Sequence, residues 1–457
     1  MCYAVANTPY GNSGNTQPIN PNPVDIDSLL EPFQHFGINL GLSRIVKLLA
    51  NLGNPHDQVP VIHVAGTNGK GSVCAYISSV LTEAGYRTGR YTSPHLVDWT
   101  ERLSLNEQHI SSEQLCQLLL EVQGAIDPHE DSPTQFEVIT AAAWLYFAQQ
   151  QVDVAVMEVG LGGRLDATNV CSQPLVTIIT SISREHWQQL GPTVGDIARE
   201  KAGILKFGCP AVVGPLPKDA EQVVRSRILE LECPVFRPQT AVQISPGWAE
   251  YEQWGDGDPI KYALPLQGQI QLTNSALALA ALEILQQKGW QISPADIING
   301  IAKTKWPGRI QWITWKKHKL LIDGAHNPAG AQVLRDYVDT LDTPTVTWVM
   351  GMMANKDHAD IFQALLRPAE KLFVVPVPDS NSAIPDELVK LAHNVCQKLS
   401  YCQSYPDLSS ALETAFANTD NLVVLCGSLY LVGHFFATAD TNKLKGQGSR
   451  VKGQGSK

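Results

Sequence analysis

Along this chain, short continuous apolar runs alternate with longer stretches where apolar residues recur at helical spacing. Runs near residues 59–64, 86–91, 152–159 and 175–182 are bounded by glycine, proline or polar clusters and predict buried strands. Between them, Leu42, Ile45, Val46, Leu48, Leu49 and Leu52 mark one helical face over residues 38–52, and residues 112–126 and 138–150 repeat that period. A helix ending at Gly203, a strand at 210–213 and a helix at 221–231 continue the alternation. An alanine-rich helix is expected over 273–287, with Asn274 at its start in a capping position. Residues 247–262 are aromatic and irregular and predict no element. Trp306-Pro307-Gly308-Arg309 then breaks the pattern. Beyond it, strands at 320–322, 345–350, 372–375 and 422–425 alternate with helices at 329–341, 361–366, 386–399 and 408–417, the pattern of a second, mostly parallel α/β unit. The expected division is a tail over 1–25, a domain over 26–305, a hinge over 306–310, a domain over 311–438 and a tail over 439–457. Both tails lack apolar periodicity and are expected to be disordered.

The most telling change of pattern is at residues 61–72. Val61, Ile62 and Val64 give way to Gly66-Thr67-Asn68-Gly69-Lys70-Gly71-Ser72, and a helical pattern of Val73, Tyr76, Ile77, Val80 and Leu81 follows at once. Strand, glycine turn and helix is the context in which such a loop binds phosphate: backbone N–H groups converge and the helix N-terminus adds unpaired donors. Lys70 could reach the β/γ phosphates and Ser72 could ligate Mg²⁺. The loop is a variant, because Val64 replaces the first glycine of the usual spacing and Gly71 separates Lys70 from Ser72. A tight turn with an exposed lysine is the plainer alternative.

Other polar residues gather at predicted strand ends, where a parallel sheet collects ligands. Ser93 follows the strand at 86–91. Glu158 ends the run at 152–159, as a carboxylate for a nucleotide-bound Mg²⁺ or as an incidental terminal charge. His186 follows the run at 175–182, as an imidazole ligand or a structural loop residue. Thr134 and Glu137 have capping-box spacing, which alone accounts for them. Lys201, near a helix end, reads as a solvated side chain or a partner of the helix dipole.

Composition narrows the classes. At 457 residues there is room for two or three domains, and the 44% hydrophobic content is that of an ordinary globular protein. The net charge of −10 argues against a general nucleic-acid binder. Nine scattered cysteines without a C-x-x-C pair indicate neither a zinc site nor a disulfide framework. With no signal peptide and no run of about 18 apolar residues, no membrane association is expected and the cytoplasm is the expected compartment.

The motifs AGTNGKGS (65–72), TSPHL (92–96) with Glu101-Arg102, TQFE (134–137), EVGLGGRLDATN (158–169), EKAGI (200–204), WPGRI (306–310), DGAHNP (323–328) and GSLYLVG (427–433) occur in an order that resembles the folylpolyglutamate synthase/dihydrofolate synthase family, within the Mur ligase group. The resemblance spans about residues 38–433. It implies an α/β fold: a large P-loop-type ATPase domain with a mostly parallel sheet, plus a smaller Rossmann-like α/β C-terminal domain. It implies that a carboxylate of dihydropteroate or a folate attacks the γ-phosphate of ATP, and that L-glutamate displaces phosphate from the acyl phosphate. Thr67, Asn68, Gly69, Lys70, Gly71, Ser72, Asn274, Arg309 and Asp323 match its ATP positions. Ser72, Ser93, Glu158 and His186 match its Mg²⁺ positions, with two ions expected. Lys201 matches a lysine carried as a carbamate, and with Lys70 and His326 it makes the expected catalytic set. Thr134, Gln135, Phe136, Glu137, Leu165, Asp166 and Ala167 match its pterin-substrate positions. Two departures stand out: Glu185 where the family often has Asp, and Ile270 where it often has His. A cell-wall Mur-type ligase and a non-catalytic ATP-binding switch are the competing classes, and a monomer with only small-molecule partners is expected.

Overall fold

The computed structural model describes residues 25–253, 258–417 and 421–439. The tails expected over 1–25 and 439–457 lie outside these residues, apart from Asp25 and Ala439.

Eight strands form the first sheet: β1 (Val61–Ala65), β2 (Thr88–Tyr91), β3 (Leu103–Leu105), β4 (Gln108–His109), β5 (Val154–Glu158), β6 (Val176–Ile179), β7 (Ala211–Val213) and β8 (Val235–Phe236). Their order is β4-β3-β2-β5-β1-β6-β7-β8. All pairings are parallel except β2–β3 and β3–β4. β1 is central, flanked by β5 and β6, and every residue in it is buried. A strand buried on both faces reads as an unbroken apolar run, which is how residues 59–64 announced it. Helices Lys70–Glu83 and Ile270–Gln287 pack one face of the sheet, and helix Gln135–Gln149 with Ser112–Gly124 packs the other.

The irregular stretch at 247–262 belongs to a three-stranded antiparallel sheet of β9 (Val242–Ser245), β10 (Trp248–Tyr251) and β11 (Ile260–Ala263). Its strands are four residues long, and β9 is exposed throughout, so no apolar alternation marks it. A six-stranded sheet follows: β12 (Gln311–Trp315), β13 (His318–Ile322), β14 (Val346–Met350), β15 (Lys371–Val374), β16 (Tyr401–Ser404) and β17 (Leu422–Cys426), in the order β12-β13-β17-β14-β15-β16. Only β12 is antiparallel to its neighbour. The outer strands β12 and β16 carry few buried residues, and neither was anticipated.

Two local readings change. The alanine-rich helix starts at Ile270, so Asn274 lies in its second turn, 3% exposed, and caps nothing. Lys201 is buried at 6% exposure, not solvated. The capping box at Thr134 and Glu137 is present as read. No helix among the described residues is long and apolar enough to cross a membrane.

Candidate active site

The C-terminal end of β1 opens into the glycine turn, and helix Lys70–Glu83 starts directly after it. Gly69 has φ +90°, and a Cβ there would come within 2.5 Å of Asn274 Oδ1, so the turn needs glycine for backbone and for space. A Cβ on Gly71 would collide with the Trp306 ring. That close approach accounts for the extra glycine between Lys70 and Ser72. The turn is pinned to the segment after β6: Thr67 N–H donates to Ser181 O at 2.7 Å, Ser183 N–H donates to Thr67 Oγ1 at 3.0 Å, and Thr180 Oγ1 donates to Asn68 O at 2.6 Å. The Lys70 amine lies over the turn, 3.1 Å from Gly66 O and 3.2 Å from Thr67 O. Ser72 Oγ is 3.4 Å from Gln271 Nε2, and Gln271 Oε1 accepts from Asn274 Nδ2 at 3.2 Å.

Glu158 ends β5, paired in register with Val64 of β1. It is 5% exposed and accepts one backbone N–H, from Ser93 at 3.3 Å. Burial raises its carboxyl above the usual range, against the opposing charge of Lys70. Lys201 donates to Gly66 O at 2.7 Å, and burial, aided by Lys70, lowers its amine to about 7. Burial also lowers His186 to about 4, which leaves a neutral imidazole able to ligate. Among the described residues no three His, Cys, Asp or Glu side chains gather as a metal cage. One buried carboxylate in a cavity that Ser72 and Ser93 also line suits Mg²⁺ nonetheless, since that ion takes few protein ligands and completes its shell with phosphate oxygens and water.

The six-stranded sheet closes the cavity. Asp323 follows β13 and accepts N–H from Ile310 at 2.8 Å and Ala325 at 2.7 Å. Burial raises its carboxyl, opposed chiefly by Arg309. The ring nitrogens of His326 face Gly324 O at 2.7 Å and Glu185 Oε1 at 3.0 Å. Glu185 Oε1 also lies 3.5 Å from Lys356 and 3.9 Å from His186. Burial would raise this carboxyl, but His326, Lys356 and His186 outweigh it and hold it well below the usual range. The side-chain amides of Asn68 and Asn327 exchange hydrogen bonds at 3.2 and 3.1 Å across the same junction.

Between these walls lies a cavity of about 460 Å³. It brings together Thr67, Asn68, Gly69, Lys70, Gly71, Ser72, Ser93, Phe136, Glu158, His186, Asn274, Arg309, Asp323 and His326. Lys201 stands behind the turn. Of the pterin-matched residues, only Phe136 faces the cavity. Glu137 caps its helix and pairs with Arg44 at 3.0 Å. Asp166 accepts N–H from Leu161 and Thr168, which shapes its own turn, and Ala167 packs in the core. Leu165 is half-buried, and Gln135 starts its helix; neither lines the cavity. Ile270 lines the wall, so the departure there is an apolar side chain facing the cavity. Sequence reasoning missed Lys356, Gln271 and the packing of Trp306 on Gly71. Lys356 follows β14, so the strand-end rule that located Asp323 could have found it.

A glycine turn after a central parallel strand, facing an acid and a histidine from a second α/β sheet, defines a Mur-type ligase. Accordingly, residues 64–282 match the family model described as the Mur ligase middle domain, and residues 309–438 that of the dihydrofolate synthetase C-terminal domain. The chain is 35% identical to the folylpolyglutamate synthase of Lacticaseibacillus casei over 85% of its own length and 92% of the relative's. It is 34% identical to the dihydrofolate synthetase of Saccharomyces cerevisiae over 87% and 97%. The structure of Mycobacterium tuberculosis folylpolyglutamate synthase complexed with ADP and AMPPCP superposes with a TM-score of 0.80 at 31% identity, covering 90% of this chain and 98% of that one. A bifunctional folylpolyglutamate synthase/dihydrofolate synthase with Mn, AMPPNP and L-glutamate bound superposes at 0.77 and 29% identity, covering 91% and 98%. The chain belongs to the folylpolyglutamate synthase/dihydrofolate synthase family.

Proposed function

We propose that this chain is an ATP-dependent ligase that adds L-glutamate to dihydropteroate and to reduced folates. The observation that carries the reading is the shared cavity: the glycine turn, Lys70 and Glu158 come from one sheet, and Asp323 and His326 from the other. Relatives bearing each activity's name support assigning both.

The acid's carboxylate oxygen attacks the γ-phosphorus of ATP, the bond to the bridging oxygen breaks, and ADP leaves. The amine of glutamate then attacks the acyl carbon, and phosphate leaves with the bonding pair. Phosphoryl transfer asks for positioning and charge neutralisation. The N–H groups of the glycine turn and the Lys70 amine supply both at the phosphates. Asn274, Arg309 and Asp323 hold the nucleotide. Ser72, Ser93, Glu158 and His186 would hold two Mg²⁺ ions, which when bound neutralise phosphate charge. Lys201, with its amine lowered to about 7, has a neutral fraction able to take up CO₂ as a carbamate, and the nearby charge of Lys70 favours the resulting anion against the cost of its burial. His326 faces the acyl group. Phe136 offers an aromatic face to the pterin-bearing acid, with Thr134, Gln135, Glu137, Leu165, Asp166 and Ala167 shaping the wall behind it. Residues 306–310 act as the hinge between domains 26–305 and 311–438, and closure excludes water from the acyl phosphate. The enzyme is read as a monomer in the cytoplasm.

Product analysis with ATP, Mg²⁺ and glutamate, offering dihydropteroate and then tetrahydrofolate, tests the reading. Glutamylated product is expected from both acids. ATP turnover that needs neither acid nor glutamate would refute it.

A further inference from the structure

Among the described residues three arginines are buried: Arg90, Arg102 and Arg335. Two carry their counter-charge with them. Arg90 lies 2.6 Å from Glu107, and Arg335 lies 2.7 Å from Glu370 with Asp339 beside it. Arg102 makes no ion pair with a carboxylate among the described residues. Its contacts are with aromatic side chains: Nε donates to Nδ1 of His95 at 3.0 Å, the guanidinium carbon lies 4.3 Å over the ring of Trp99, and the Tyr91 hydroxyl is a further hydrogen-bond partner, while Glu158 acts on it only at a distance. Together they fix the plane of the fork. Arg102 is 9% exposed and lines the cavity between the two sheets. A guanidinium so buried and unpaired is costly unless a ligand supplies the anion.

The surroundings indicate which anion. Arg102 interacts with Tyr91, whose ring lies 6.3 Å from that of Phe136. Phe136 also faces the cavity and packs so closely on Gly160 that a Cβ there would strike its ring. An aromatic face and an unpaired planar cation thus share the wall that ends at Ser93 and Glu158. That combination fits an aryl carboxylate, with its ring toward Phe136 and its two oxygens on the fork of Arg102.

We propose that Arg102 is the receptor for the aryl carboxylate of the pteroate-type acid that the enzyme activates. Both oxygens accept from the fork, which leaves the outer lone pairs free and points one toward the γ-phosphorus. The proposal rests on the ligase reading above and adds the residue that orients the nucleophile.

Binding to the full-length protein without ATP tests it, with a pteroate acid and the analogue lacking the carboxylate as probes. Arg102→Gln should weaken the acid about 10- to 100-fold and leave the analogue unchanged. Arg102→Lys should recover only part of the loss, because an ammonium cannot grip two oxygens in one plane. In turnover, KM for the acid should rise while KM for ATP and for glutamate holds. The ligand-free Arg102→Gln protein should melt no lower than the parent, since it loses an uncompensated buried charge. Unchanged acid binding, or a lower melting temperature with the preference for the acid intact, would overturn the proposal in favour of a structural arginine. A rise confined to KM for glutamate would overturn it by assigning the fork to the amino acid's carboxylate. A parent protein that binds no pteroate acid at all would refute the ligase reading itself, and this proposal with it.

Discussion

Two buried carboxylates line the cleft, and their surroundings push them in opposite directions. Glu158, at the end of β5, is 5% exposed, makes no ion pair among the described residues, and is raised by burial. Glu185, at the junction of the two sheets, is 9% exposed, touches His326, Lys356 and His186, and is held well below its usual range. The same chemical group therefore serves two purposes. Glu185 already has a cation in Lys356 and a hydrogen-bond partner in His326, both from the other sheet, so it joins the two sheets. Glu158 has only distant cations, so it has room for one from outside. A buried charge left without a partner marks a place that binds, and one already paired marks a place that holds.

The hardest test of that contrast is on the unpaired side. Lys70→Ala removes the cation that lies over the turn without touching the core, since the side chain is only half-buried and bonds its own loop. Turnover should fall by about 10³-fold or more with the melting temperature unchanged. Near-normal kcat would show that the glycine turn is merely a turn. Glu158→Gln should come next, with kcat down about 100-fold and a higher Mg²⁺ requirement. Because it removes an unpaired buried charge, the variant should melt at or above the parent temperature. A marked loss of stability would show that Glu158 is structurally paired after all.

Sequence reading reached most of this arrangement because much of it is local. The glycine turn, the capping box at Thr134 and the strand-end positions of Glu158 and Asp323 follow from residues close together in the chain. What it missed depends on distance. Lys201 looked solvated because a helix end usually is; only the packed fold buries it against Gly66. The capping position of Asn274 fails because Ile270 and Gln271 begin the helix a turn earlier without a recognisable cap. Trp306 and Gly71 meet across more than two hundred residues, and no periodicity encodes that contact. The short strands β9, β12 and β16 were lost because exposed strands lack the apolar alternation that marks a half-buried one.

On the paired side, His326→Ala should behave differently from Glu158→Gln. It strips Glu185 of its closest side-chain partner, so the protein should lose about 1–2 kcal/mol of stability, a figure kept small because the His326 side chain is 24% exposed. kcat/KM should fall about tenfold to a hundredfold as the junction loosens and the acyl site loses its histidine. Combining His326→Ala with Glu185→Gln should cost less stability than the two single changes added together, because both break one pair. Strict additivity in denaturant melts would mean that Glu185 and His326 do not share a bond, and the contrast between the two carboxylates would lose its second half.

A test with no expected effect on turnover separates binding from burial alone. His63, in the middle of β1, is fully buried, and its Nε2 lies 2.8 Å from Thr168 Oγ1, which in turn donates to Asp166. Burial, with a minor contribution from Lys206, lowers its imidazole to about 3. The unfolded chain, with an ordinary histidine near 6.5, takes up a proton well before the folded one does. The stabilisation from keeping His63 neutral is therefore complete above about pH 6.5 and is lost as the pH falls toward 3. At pH 5 the loss should be about 2 kcal/mol from this residue. Glu158, Asp166 and Asp323 shift the opposite way, since carboxyls raised by burial protonate earlier in the folded state, so the whole-protein curve mixes both signs. The difference between the parent and His63→Asn isolates the histidine. Plotted against pH, the stability gap between them should narrow steadily from 6.5 down to 4.5. A gap that stays constant over that window would mean that His63 keeps an ordinary pKa inside the sheet, and that burial alone does not set the shifts on which the comparison of Glu158 with Glu185 depends.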